Sequence, residues 1–214
     1  MQTYLKGSIL EDYKMQNYLK KVLENMPTDW LSLTTHRLDI YNEKFAKTQF
    51  LEQFENLFNS SNSDLSALQK LPTAYDYIRL GHPLSCILEW GIAHLHHIKP
   101  AQVISFSSQT IPVLAILRKN LLDRKNTQII YTGEIPAIFE SKLLQKVYGY
   151  EFELKQLQKG ADTPDFRGST VFITSDDTIR KIELNKNINF YVNMYEDLGS
   201  VLFINGEQHN NYIS

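Results

Sequence analysis

Large apolar side chains between Ile9 and Met26 recur at gaps of three and four: Ile9, Leu10, Tyr13, Met15, Tyr18, Leu19, Val22, Leu23 and Met26. That period predicts one face of a helix. Pro27 ends it, and Pro27-Thr28-Asp29 offers a turn and a fresh cap. A second helical pattern runs through Phe45, Phe50, Leu51, Phe54, Leu57 and Phe58. An aromatic stripe at this spacing reads as core or dimer packing. The polar run Asn59-Ser60-Ser61-Asn62-Ser63-Asp64 follows and reads as a linker. It divides a helical N-terminal segment, 1–64, from a second domain, 65–214.

Beyond Leu65 the period alternates between helix and strand. A helix is expected from Leu84 to Ile98, with Pro83 suited to its first turn. Gln102 to Phe106 reads as a strand and Ile111 to Leu122 as a helix. Gln128 to Tyr131 is the next strand, and Pro136 to Tyr148 a helix stopped by Gly149. Short β-rich runs then follow at Tyr150–Leu154, Val171–Thr174, Asn189–Val192 and Ser200–Ile204. Strands alternating with helices indicate the α/β class: a three-layer α/β/α arrangement with a mostly parallel sheet, preceded by the N-terminal helical segment. The late strands have little helix between them, which leaves room for an antiparallel edge.

Composition adds exclusions. The 214 residues are 43% hydrophobic and 21% charged, ordinary globular usage that argues against wholesale disorder. A net charge of −2 lacks the basic footprint of a nucleic-acid binder. No run approaches the roughly 18 apolar residues of a membrane span, and the first residues carry no charged leader with an apolar core. A cytoplasmic protein is the expectation. Cys86 is the one cysteine, so neither an internal disulfide nor a Cys-rich zinc module is available.

Ligands of such sheets bind beyond the carboxyl ends of the strands. Four loops qualify. Ser107-Ser108-Gln109-Thr110 sits between a strand and a helix start, where hydroxyls and backbone N–H groups suit a phosphate, or simply cap the helix. Tyr131-Thr132-Gly133-Glu134, Thr174-Ser175-Asp176-Asp177-Thr178 and Asn193-Met194-Tyr195-Glu196-Asp197 are the others. The paired acids of the third could hold a cation or amine, although a solvated turn is commoner. His94 and His97 share a helix face while His96 points elsewhere. Glu89 is poorly spaced to join them and no HExxH pattern occurs, so no metal site is expected. Cys86 reads as a buried inert thiol. GxSxG, GxxxxGK[ST] and GxGxxG are all absent.

The order of these segments resembles the N-terminal half of the cystathionine γ-synthase and cystathionine β-lyase family, pyridoxal-phosphate enzymes of fold type I. Tyr75-Asp76-Tyr77-Ile78-Arg79 with Pro83, Leu88-Glu89 and Ala93-His94-Leu95 resembles one conserved stretch of that family. Ser105-Phe106-Ser107-Ser108 resembles its Ser-Ser-Gly strand end, and Tyr131-Thr132-Gly133 its Tyr-Gly-Gly turn. Leu198 to Phe203, with Tyr212-Ile213-Ser214, is faintly similar to the strand leading to the catalytic lysine. The likeness spans 72–214. It implies that Tyr77 and Arg79 reach the cofactor phosphate of a neighbouring subunit, that Ser107 and Ser108 form the phosphate loop, that Tyr131 stacks on the cofactor ring, and that the chain is a homodimer. Departures accompany it. Gln109 replaces the loop glycine. Asn193 stands where an aspartate would keep the pyridine nitrogen protonated. Asn211 occupies the expected lysine position, and no lysine follows Lys186. An asparagine amide forms no Schiff base.

The resemblance therefore implies a non-catalytic relative that binds a phosphorylated small molecule or acts as a partner subunit, with any pyridoxal phosphate held non-covalently. Two alternatives stand beside it. Ser105 to Thr110 weakly resembles the phosphate loop of sugar-phosphate isomerase domains, with Glu134 or Glu140 as base. An interaction protein without a small-molecule site fits the aromatic content of 12%.

Overall fold

A computed structural model describes residues 2–31, 43–72, 82–132, 134–135, 139–158, 161–175, 185–195 and 197–206. The chain divides into two compact units, Met1–Pro100 and Ala101–Ser214.

The first unit is helical. Its helices are α1 (Gln2–Asn25), α2 (Glu43–Asn59), the single turn α3 (Leu65–Leu68) and α4 (Pro83–His96), with a 3₁₀ turn at Thr28–Leu31. The aromatic stripe is its core. Phe50, Phe54 and Phe58 are buried with Tyr18, Trp30 and Trp90. Trp90 meets Phe54 and Phe58 edge to face at centroid distances of 5.1 and 5.0 Å, the geometry that ring quadrupoles favour. On α1 only part of the expected stripe is inside. Met15, Tyr18 and Val22 are buried, whereas Ile9, Leu10, Tyr13 and Leu23 face water.

The polar run after α2 is a packed turn of this unit. Ser61 takes a positive φ of 53°, and the Asn62 N–H donates to Leu57 O at 2.9 Å. Tyr18 Oη and Asn25 Nδ2 donate to the carbonyls of Asn62 and Ser63. Leu68, Leu71 and Trp90 pack into the same core. The division of the chain accordingly falls at Pro100, not at the expected 64: apolar residues of α3 and α4 bury their faces with α1 and α2.

The second unit is α/β. Its strands are β1 (Val103–Phe106), β2 (Thr127–Thr132), β3 (Glu153–Leu157), β4 (Ser169–Thr174), β5 (Phe190–Tyr195) and β6 (Gly199–Ile204). Among the described residues, helix α5 (Ile111–Leu122) follows β1 and helix α6 (Ser141–Tyr148) follows β2, and Gly149 ends α6 in the left-handed region as expected. The sheet is mixed and mostly parallel, in the order β1-β6-β5-β4-β2-β3. β6 is antiparallel to both its neighbours, so the other five strands point one way. The reversed strand is interior, not an edge. β5 ends at Tyr195 and β6 begins at Gly199. So short a connection cannot make a parallel crossover, which needs about a dozen residues.

Register sorts the two faces. Ile129, Val171, Val192 and Leu202 share one face and form a core with Val113, Ile116 and Leu117 of α5 and Leu144 of α6. Asn120 Nδ2 donates to Thr127 Oγ1 at 2.9 Å, fixing the end of α5 to the start of β2. On the opposite face Val103, Ile130, Tyr191 and Phe203 are buried too. Among the described residues no helix is long and apolar enough to cross a membrane.

Candidate functional site

Because β1, β2, β4 and β5 run in one direction, their carboxyl ends lie along one edge of the sheet. The loops singled out from sequence follow those ends. Ser107–Thr110 leaves β1, Tyr131 and Thr132 close β2, Thr174 and Ser175 close β4, and Asn193–Tyr195 closes β5. Tyr77, Arg79, Gly133, Asp176 and Asp177 lie outside the described residues.

The rim is tied down by its own side chains. Ser108 Oγ accepts from the backbone N–H of Thr110 and of Ile111, each at 3.3 Å. It fills the seat at the N-terminus of α5 that an anionic oxygen would take. Pro112 follows and carries no N–H. Gln109 Nε2 crosses the start of β6 and donates to Tyr195 O at 2.7 Å. Ser200 Oγ donates to Ser108 O. Asn193 is buried, and its Nδ2 donates to Tyr195 Oη at 2.8 Å. Gly199, at φ +97°, lets the loop close: a Cβ there would stand 2.1 Å from Phe106 O. Of the expected residues, the structure joins Gln109 to the end of β5 and Ser108 to the start of β6. Ser107 is exposed.

Tyr131 is elsewhere. Its register through Ile173 and Val192 puts it on the α5 face, half-buried against the core, while Asn193 is on the opposite face. Tyr131 and Asn193 therefore do not face one ring-shaped ligand from the same side. Glu134 and Glu140 are exposed.

A cofactor of the pyridoxal-phosphate type needs a donor-rich phosphate seat, an anion for the ring nitrogen and an amine for the aldehyde. The described rim offers a seat already filled by Ser108 Oγ, a neutral Asn193 amide engaged with Tyr195, and no lysine. These groups do not fit that cofactor.

The helical unit holds a polar constellation that the sequence did not reveal. Glu55 Oε2 accepts from Trp90 Nε1 at 2.6 Å and lies 3.1 Å from His94 Nε2. An ionised carboxylate only accepts, so it places the His94 proton on Nε2 and leaves Nδ1 as the acceptor of the neutral ring. His94 and His97 line a cavity of about 280 Å³ with Glu11, Glu55 and Phe58. Lys14 Nζ sits 4.9 Å over the Phe58 ring, which already supplies that ring with a cation. His97 ends α4 in the left-handed region, and His96 is buried away from the pair. Burial, with His97 adding to it, lowers the His96 pKa. Among the described residues no group of three or more His, Cys, Asp or Glu is placed to hold a metal ion. Glu89 is buried and paired with Lys47. Burial above all, then the charge of Glu89, pushes the Cys86 thiol up to about 12, so it is protonated and unreactive.

Comparison with known proteins finds no family model, no curated protein and no solved structure that matches this chain.

Proposed function

We propose that this chain is a non-catalytic α/β protein, a relative of the pyridoxal-phosphate enzymes of cysteine and methionine metabolism that acts as a homodimeric partner subunit in the cytoplasm. The observation that carries the reading is the self-capped rim. Ser108 occupies the N–H groups of α5, and Gln109 is anchored to Tyr195 O where the related loop would admit a phosphate. The neutral Asn193 points the same way, as does Asn211 at the position where the related enzymes carry their lysine. An arrangement that has spent its donors internally stabilises the loop and leaves little for transition-state charge.

The test has three arms. Purified protein is incubated with pyridoxal phosphate and cystathionine, cysteine or homocysteine, and ammonia and keto-acid release are followed. No turnover above the enzyme-free blank is expected, and turnover would overturn the reading. In parallel, thermal unfolding with phosphorylated ligands is compared for the wild type, Ser108→Ala and Gln109→Ala. A ligand at about 100 times its Kd adds roughly 2.7 kcal/mol. The expected result is that neither rim variant changes any ligand-induced shift. A shift that both variants abolish would make the rim a working phosphate site. Light scattering should give twice the chain mass, and a monomer would remove the homodimer from the proposal.

A further inference from the structure

At the opposite edge of the sheet, where β4 and β5 begin and β6 ends, lies a cavity of about 560 Å³. Small-molecule sites commonly measure roughly 300–1,000 Å³. Its floor is apolar: Ile188, Phe190 and Ile204 are all at most 5% exposed as residues and line it. Its mouth carries Lys125 and Lys186, both exposed. No carboxylate is among its described lining residues, in a chain whose net charge is −2. Lys125 Nζ lies 3.9 Å from Asp123 Oδ2, the outer limit of an ion pair.

Ser169 supplies the second observation. It lines this cavity, is 4% exposed, and its Oγ is buried with no hydrogen-bond partner. A buried hydroxyl left unmade is destabilising, and native folds keep few of them. Asn189 is also on the wall. Its Oδ1 accepts from Thr170 N–H at 2.8 Å, which turns the Nδ2 amide away as a further donor. Asn205 Nδ2 holds the carbonyls of Asn185 and Ile188 at 2.9 Å and so fixes the loop that carries Lys186.

We infer that this cavity binds a small organic anion. The phosphate or carboxylate head meets Ser169 Oγ, Asn189 Nδ2 and the two ammonium groups, and the apolar body rests on Phe190 and Ile204. The site is separate from the rim at the carboxyl ends and does not depend on the partner-subunit reading.

Calorimetric titration of the full chain with phenylphosphonate, phenylacetate, inorganic phosphate and benzylamine tests it. At least one of the two aryl anions should bind, and the tighter one identifies the head group. Inorganic phosphate should bind more weakly than phenylphosphonate, and benzylamine not at all. Ser169→Ala removes an unpaired hydroxyl, so it should fold as well as the wild type yet bind the preferred anion roughly tenfold more weakly. Lys125→Gln/Lys186→Gln should lose about as much and become insensitive to salt. Binding of neither aryl anion, or wild-type affinity retained in both Ser169→Ala and the lysine variant, would overturn the assignment. Phosphate binding as tightly as phenylphosphonate would overturn the apolar floor.

Discussion

Lys47→Met should open the helical unit to solvent far more often, and Cys86 is placed to report it. Lys47 on α2 pairs with Glu89 on α4, whose side chain is 6% exposed. Removing the lysine takes its cation from a buried carboxylate, and breaking a fully buried pair costs about 3–5 kcal/mol. The Lys47 side chain is 24% exposed, so some water reaches the pair and the lower figure applies. Every 1.4 kcal/mol is a factor of ten in population. The open form should therefore rise about a hundredfold. Cys86 is the only cysteine, 2% exposed, with its thiol raised to about 12. Only the opened chain presents a reactive thiolate to a disulfide reagent, so the labelling rate follows the open population when closing is fast. Lys47→Met should label about a hundred times faster than the wild type at pH 8. The double variant Lys47→Met/Glu89→Leu replaces the pair by apolar groups and should return to within about tenfold of the wild type. A rise of less than about threefold in the single variant would refute the argument, as would a double variant no slower than the single.

Three further outcomes follow from the geometry. Burial first, and the charge of Glu55 second, hold the Tyr18 phenol at about 12 against an ordinary 10.0. Its contribution to stability is complete below pH 10 and is lost as pH climbs from 10 towards 12, so denaturant midpoints measured across that window should fall less in Tyr18→Phe. Glu55→Gln should lower the Tyr18 midpoint in an ultraviolet titration without restoring the ordinary value, because burial is the larger cause. Gly199→Ala forces a Cβ against Phe106 O in a left-handed backbone. It should cost roughly 3 kcal/mol, seen as an earlier urea midpoint.

The elements were legible where period and punctuation agreed. Helix α5 matches its expected bounds, and Gly149 stops α6 for the reason read from the sequence. Strand β3 was placed three residues early, because Tyr150-Glu151-Phe152 alternates like a strand while the described strand starts at Glu153. The turn at 59–64 looked like a linker because its composition is polar; its role depends on Tyr18 and Asn25, 44 and 38 residues away. That the carboxyl ends of β1, β2, β4 and β5 share one edge was readable from strand-to-helix order. Their wiring was not. Gln109 meets Tyr195 across 86 residues, and Glu55 meets Trp90 and His94 across 35 and 39. No local period records such pairs. The facing of Tyr131 was hidden because Ile129 and Ile130 are both fully buried, so β2 shows no apolar–polar alternation.

The interior position of β6 has a consequence for the order of synthesis. β1 emerges first of the described strands of its unit, yet its partner among them is β6, with Val103 opposite Phe203. Until the ribosome has delivered β6, β1 lacks its described ladder and β5 presents the edge that β6 covers. Pairing so distant in sequence is slow, and unpaired apolar edges invite association between nascent chains. A ribosome-stalled chain ending before Gly199 should therefore remain open to protease at Val103–Phe106, and release of β6 should protect both edges in one step.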